Sequence, residues 1–178
     1  MKNPAKHKNR IPFEGLLTRL DAPSDKAPSG ARGHRVILTT GAAEAALGSL
    51  IGMAVSFKAA WDGHDARQKC GVITEAFIEG DELRVAGHIY AHDFPDVFAQ
   101  MSKPNVNLGM SYEMVDARVE NMTSPIWTLT EVTFTGAAIL LRNKAAYRST
   151  RINLMAVAST SRGGRIKLQV EGGRVKLG

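Results

Sequence analysis

The 178-residue chain is 44% apolar, holds a single cysteine and carries a formal net charge of +6. That length suffices for one domain with its own core. One cysteine excludes an intrachain disulfide and the usual multi-thiolate zinc sites, and no apolar run approaches the roughly 20 residues that a membrane-spanning helix needs.

The basic N-terminus, Met1 to Lys8, leads into no apolar stretch, so no secretory signal is expected. Residues 1–11 read as a disordered basic arm. Phe13 to Leu20 alternates as a strand does. Residues 21–33, with Pro23, Pro28, Gly30 and Gly33, read as a loop. His34 to Thr39 is a β-branched strand, and Thr40 is placed to cap an alanine-rich helix from about Gly41 to Leu50. Met53 to Phe57 predicts a short strand, and residues 58–69 a polar loop carrying His64. Cys70–Ile78 and Leu83–Tyr90, joined at Glu79-Gly80-Asp81-Glu82, predict a hairpin.

Asp93 is a candidate N-cap for a helix with Pro95 in its first turn and Phe94, Val97, Phe98 and Met101 on one face; Pro104 follows its end. Asn107–Val119 and Ile126–Thr135 read as strands. Gly136 to Leu141 is a separate small apolar run, and Ala145-Ala146-Tyr147 a helical turn. Residues 149–178 are rich in Ser, Arg and Gly and repeat Gly-Gly-Arg-Ile/Val-Lys-Leu at 163–168 and 172–177, a basic tail or small hairpin outside the core. These elements predict an α+β fold, a curved and mostly antiparallel sheet or β-barrel with a few short flanking helices. Residues 12–150 form the folded domain and 151–178 the tail. Neither GxGxxG nor a Walker loop is present.

The positive excess gathers at the two ends, while Phe13 to Thr135 is close to balanced. Basic ends on a near-neutral domain argue for docking to an acidic surface rather than for a base-reading groove. Aromatics make up only 6% of the chain, with Trp61 and Trp127 the best candidates for stacking on bases, so nucleic acid is not an expected partner.

Two segments carry candidate chemistry: Gly63-His64-Asp65 and Leu108-Gly109-Met110-Ser111-Tyr112-Glu113. A serine hydroxyl needs a base to take its proton, and histidine suits that work near neutral pH. Gly109 would share a face with Ser111 and leave open space there for a substrate backbone. Glu131, an acid inside the apolar strand Leu129 to Phe134, is a candidate to orient the imidazole, with Glu113 and Asp65 as alternatives. The plainer readings are a loop histidine among charged neighbours, a strand serine, and a carboxylate on an exposed strand face. His7 lies in the arm, His34 begins a strand, and His92 is placed to help cap the following helix. His88 and His92 lie on strand and turn without HExxH, so no metal site is expected. Cys70 begins an apolar strand and is expected to pack there rather than act as a nucleophile.

In their order these pieces resemble the prohead (capsid maturation) serine proteases of tailed phages, related in fold to the herpesvirus assembly protease. The resemblance rests on His64 followed by Cys70-Gly71-Val72-Ile73, on Leu108 to Glu113, and on Leu129-Thr130-Glu131-Val132-Thr133-Phe134, and it covers about residues 11–150. It implies His64 as base, Ser111 as nucleophile and Glu131 as third member, with no cofactor. It implies scaffold and capsid proteins as substrates inside the immature capsid in a bacterial cytoplasm, with self-association open. The chain departs from the family in having Gly109 before Ser111 and Glu113 after it, and in Gly136-Ala137-Ala138 where a proline-containing segment is common. Those departures leave room for a non-catalytic assembly protein of the same fold. Met155-Ala156-Val157-Ala158-Ser159 is a small-residue stretch suited to self-cleavage.

Overall fold

The alternating apolar residues of Ile11–Arg19 form β1, which buries Phe13, Leu16 and Leu17. The computed structural model describes residues 7–105, 107–155, 170–171 and 174–176. In chain order the remaining strands are β2 (Arg35–Leu38), β3 (Ala54–Phe57), β4 (Lys69–Glu79), β5 (Glu82–Ile89), β6 (Leu108–Val119), β7 (Ile126–Leu141) and β8 (Arg151–Leu154). Two short helices accompany them, α1 (Thr40–Ala46), continued by a 3-10 turn over Leu47–Leu50, and α2 (Pro95–Met101). The fold is α+β: a curled, mostly antiparallel sheet that forms a half-barrel.

The sheet runs β2-β7-β3-β4-β5-β1-β8, with β6 along the other edge of β7. The β4–β5 hairpin turns at Gly80 (φ 61°), where a left-handed backbone favours glycine. β7 is the organising strand. β6 pairs with it antiparallel from Leu108↔Leu141 to Val119↔Leu129. Its opposite edge takes two parallel partners in succession, β2 over Ile126–Leu129 and β3 over Ala137–Ile139. In the gap between them, the Phe134 N–H donates to Ser49 Oγ at 2.9 Å, so the 3-10 turn satisfies a backbone donor left without a strand. At the far side of the half-barrel, the Met110 N–H donates to Thr150 Oγ1 (3.1 Å), just ahead of β8. The core lies inside the curl, where Phe13, Leu38, Ile73, Leu83, Val85 and Phe134 are buried.

Several sequence expectations move. Ile126–Thr135 and Gly136–Leu141 are one continuous strand, because the glycine falls where β6 and β3 flank β7 rather than at a break. Thr39, not Thr40, caps α1, accepting from the Ala42 N–H at 3.1 Å. Asp93 is not the cap of α2; Phe94 holds that position without a side-chain bond, and neither Asp93 nor His92 supplies one. Instead Asn9 donates to Asp93 Oδ2 (2.8 Å) and accepts from the His92 and Asp93 N–H groups. That ties the end of the expected free arm to the domain. Residues 145–147 form bends rather than a helical turn. Arg151–Leu154, expected to open the tail, pairs with β1 and buries Ile152. Further on, β9 (Val170–Glu171) and β10 (Arg174–Lys176) pair antiparallel, and β10 pairs with β4. Residues 1–6, the first Gly-Gly-Arg repeat and most of the proposed self-cleavage stretch lie outside the described residues.

Candidate active site

Ser111 and Glu113 sit on β6 opposite Ala138 and Gly136 of β7. The strand period of two turns both side chains to the same side, while Met110, Tyr112 and Met114 face the core. Next to Ala138 on its other side is Ser56 of β3, so the floor under the site is built from small residues.

His64 lies in the loop between β3 and β4, and the loop is pinned at several points. The Trp61 carbonyl accepts from the Leu141 N–H (2.8 Å), and the Trp61 ring packs on Phe57 with 5.4 Å between centroids. Lys58 pairs with Asp62 at 3.2 Å. Asp65 accepts from the Arg67 N–H (3.0 Å), the Arg67 guanidinium and Gln68 Nε2 (3.1 Å). Those bonds, the Arg67 side chain foremost, pull the Asp65 carboxyl down to about 2. Asp65 is therefore spent on the loop itself.

With the loop so held, His64 Nδ1 lies 2.8 Å from Glu113 Oε1, although the two residues are 49 apart in the chain. An ionised carboxylate only accepts hydrogen bonds, so the neutral ring that makes this bond carries its proton on Nδ1 and keeps its lone pair on Nε2. The two side chains are 31% and 28% exposed, sheltered enough to hold the bond and open enough to meet a ligand.

His64, Glu113 and Ser111 line a cavity of about 850 Å³. The apolar residues Val36, Trp127 and Leu129 line the same cavity. That size is in the ordinary range for ligand sites. The Ser111 hydroxyl makes no hydrogen bond among the described residues. No family model matches the chain, and no curated protein is significantly similar to it.

Glu131 is elsewhere. It stands opposite Arg118 in the β6–β7 ladder, pairs with it at 3.7 Å and is 62% exposed. Its distance along β7 from Ala138 is roughly 20 Å at the usual strand rise, and the carboxylate on His64 is Glu113. The expected space beside Ser111 is filled as well: Gly109 is buried, and a Cβ there would meet Thr150 Oγ1 at 2.6 Å. The glycine serves a close approach of the 147–150 turn, not of a ligand.

The other singled-out residues have structural partners. His34 stacks on Trp127 (centroids 4.4 Å apart, 13° between planes) with Nδ1 3.1 Å from the Pro125 carbonyl. Burial pushes His88 down, and His92 lies beside Asp93. Cys70 is buried in β4. Among the described residues no cluster of three His, Cys, Asp or Glu side chains could hold a metal ion, and no helix is long and apolar enough to cross a membrane. Gly136 drew attention in the sequence only as a departure from the family pattern. A lone glycine inside an otherwise β-favouring run is the signal that a close approach occurs there.

Proposed function

We propose that this chain is a serine endopeptidase in which Ser111 is the nucleophile, His64 the general base and Glu113 the group that orients the imidazole. The observation that carries the reading is the bond from His64 Nδ1 to Glu113 Oε1, which leaves Nε2 as an acceptor on the side chain that shares a cavity with Ser111. In the reaction, Ser111 Oγ bonds to the peptide carbonyl carbon as its proton passes to His64 Nε2. Nε2–H then protonates the leaving amine as the C–N bond breaks. A water molecule, deprotonated by the same nitrogen, releases the acyl group and restores the serine. The first step requires the Ser111 hydroxyl to reach Nε2, and active-site bonds often tighten only on substrate binding. An oxyanion hole contributes about 3–4 kcal/mol in such chemistry. The resemblance to prohead proteases supplies the substrate class, scaffold and capsid proteins, whose confinement in a shell relaxes the need for tight binding.

The second reading is a non-catalytic assembly protein that keeps the fold, and the unbonded Ser111 hydroxyl favours it. A fluorophosphonate probe separates the two. The catalytic reading expects one label on Ser111 of the wild-type chain, lost in Ser111→Ala and strongly slowed in His64→Ala. It also expects a mass loss near Met155 that Ser111→Ala abolishes. A wild-type protein that stays unlabelled and, like Ser111→Ala, keeps its full-length mass leaves only the architectural reading.

A further inference from the structure

We infer that Gly136 is a positioning residue: its bare Cα is what allows the Glu113 carboxylate to lie against β7 and hold His64. The role of that arrangement in catalysis rests on the proposed function; the geometry stands apart from it. Gly136 is directly opposite Glu113 in the ladder. Its φ lies outside the left-handed region, so backbone freedom does not explain a glycine here. Within a strand, glycine gives up side-chain packing and often marks a close approach.

The approach is visible. A Cβ at position 136 would lie 3.0 Å from Glu113 Oε2 and 3.3 Å from the Ala54 carbonyl oxygen. The Ala54 oxygen belongs to β3, held between β4 and β7, and has little freedom to move. The carboxylate is the mobile partner, so a methyl group at 136 tilts it outward from β7. Its other oxygen, Oε1, is the one on His64 Nδ1 at 2.8 Å. A shift of a few tenths of an ångström at Oε2 carries Oε1 with it, and the bond that keeps the imidazole proton on Nδ1 lengthens and weakens. Gly136 therefore touches neither the serine nor the ring, yet governs which ring nitrogen is free.

The test is Gly136→Ala in the full chain, read by nitrogen-15 NMR of the histidine rings. Wild-type His64 is expected as the Nδ1–H tautomer, with a hydrogen-bonded Nδ1–H signal. In Gly136→Ala the population moves toward Nε2–H, the Nδ1–H signal is lost to exchange, and probe labelling of Ser111 slows by about 10-fold or more. A folded Gly136→Ala protein with the wild-type His64 spectrum overturns the inference. A thermal cycle covers the case of poor folding. Gly136→Ala should lower Tm when Glu113 is present and lower it less in the Glu113→Ala background, where the methyl has room; equal losses in both backgrounds overturn the inference. Neither the ring spectrum nor the Tm cycle needs turnover. If Ser111 never reacts with the probe, the proposed activity fails while the Gly136–Glu113–His64 coupling is still measured.

Discussion

His64 can act as a base only while its proton stays on Nδ1, and at the residue scale that depends on one carboxylate. Glu113 meets the ring at 2.8 Å, whereas Glu131 is 62% exposed and faces Arg118. Replacing Glu113 by Gln offers the ring an amide that can also donate, so the wrong tautomer becomes competitive. Under the proposed protease reading, Glu113→Gln is expected to slow probe labelling and self-cleavage by about 10³- to 10⁴-fold. Glu131→Gln should leave both within about twofold, since an exposed ion pair contributes little. The reverse ranking, measured side by side, would return Glu131 to the site. Both acids look alike in the sequence, each in an alternating strand. What separates them is their position along the β6–β7 ladder, a long-range property.

At the element scale, the site depends on where β6 begins. Thr150 is buried and bonds twice: its Oγ1 accepts from the Met110 N–H at 3.1 Å and donates to the Tyr147 carbonyl at 2.9 Å. It thereby pins the strand one residue before Ser111. Thr150→Val keeps the shape and strands the Met110 N–H, at a cost of about 1–3 kcal/mol for a buried group left unsatisfied, while the Tyr147 carbonyl still accepts the backbone N–H of residue 150 at 3.2 Å. An unfolding free energy in urea lowered by roughly 1–3 kcal/mol, and a correspondingly lower midpoint, is expected, together with slower labelling of Ser111. A midpoint at the wild-type value would show that the clamp contributes nothing. The β4–β5 hairpin was legible because an apolar alternation and a Gly-Asp turn are local signals. The continuity of β7 was not, because glycine reads as a break until the flanking strands β3 and β6 are known.

At the scale of the whole molecule, burial sets the response to alkali. It pushes the Cys70 thiol up to about 12 from 9.0 and the Tyr112 phenol up to about 12 from 10.0, and Tyr147 moves upward from the same cause. Between those ordinary values and the raised ones, the folded state holds protons that the unfolded chain has released. The stabilisation is complete below about pH 9 and is lost as pH rises toward about 12. Unfolding free energies, and with them denaturant midpoints, should fall over that window, the former by on the order of 3 kcal/mol for each fully titrated group. A flat profile would mean that these groups are not buried as described. The thiol of Cys70 should likewise resist alkylation at pH 8 until the protein unfolds.

The sequence by itself determined the α+β class, most strands, the hairpin, the burial of Cys70 and a short list of candidate side chains, because periodicity, turn residues and residue type act over a few neighbours. Only the tertiary structure decided that β7 takes two partners on one edge, that Arg151–Leu154 joins the sheet, that Glu113 rather than Glu131 meets His64, and that a bare Gly136 makes room for it. Each of these follows from the register between strands far apart in the chain, and register is settled by the packing of the whole sheet rather than by any segment alone.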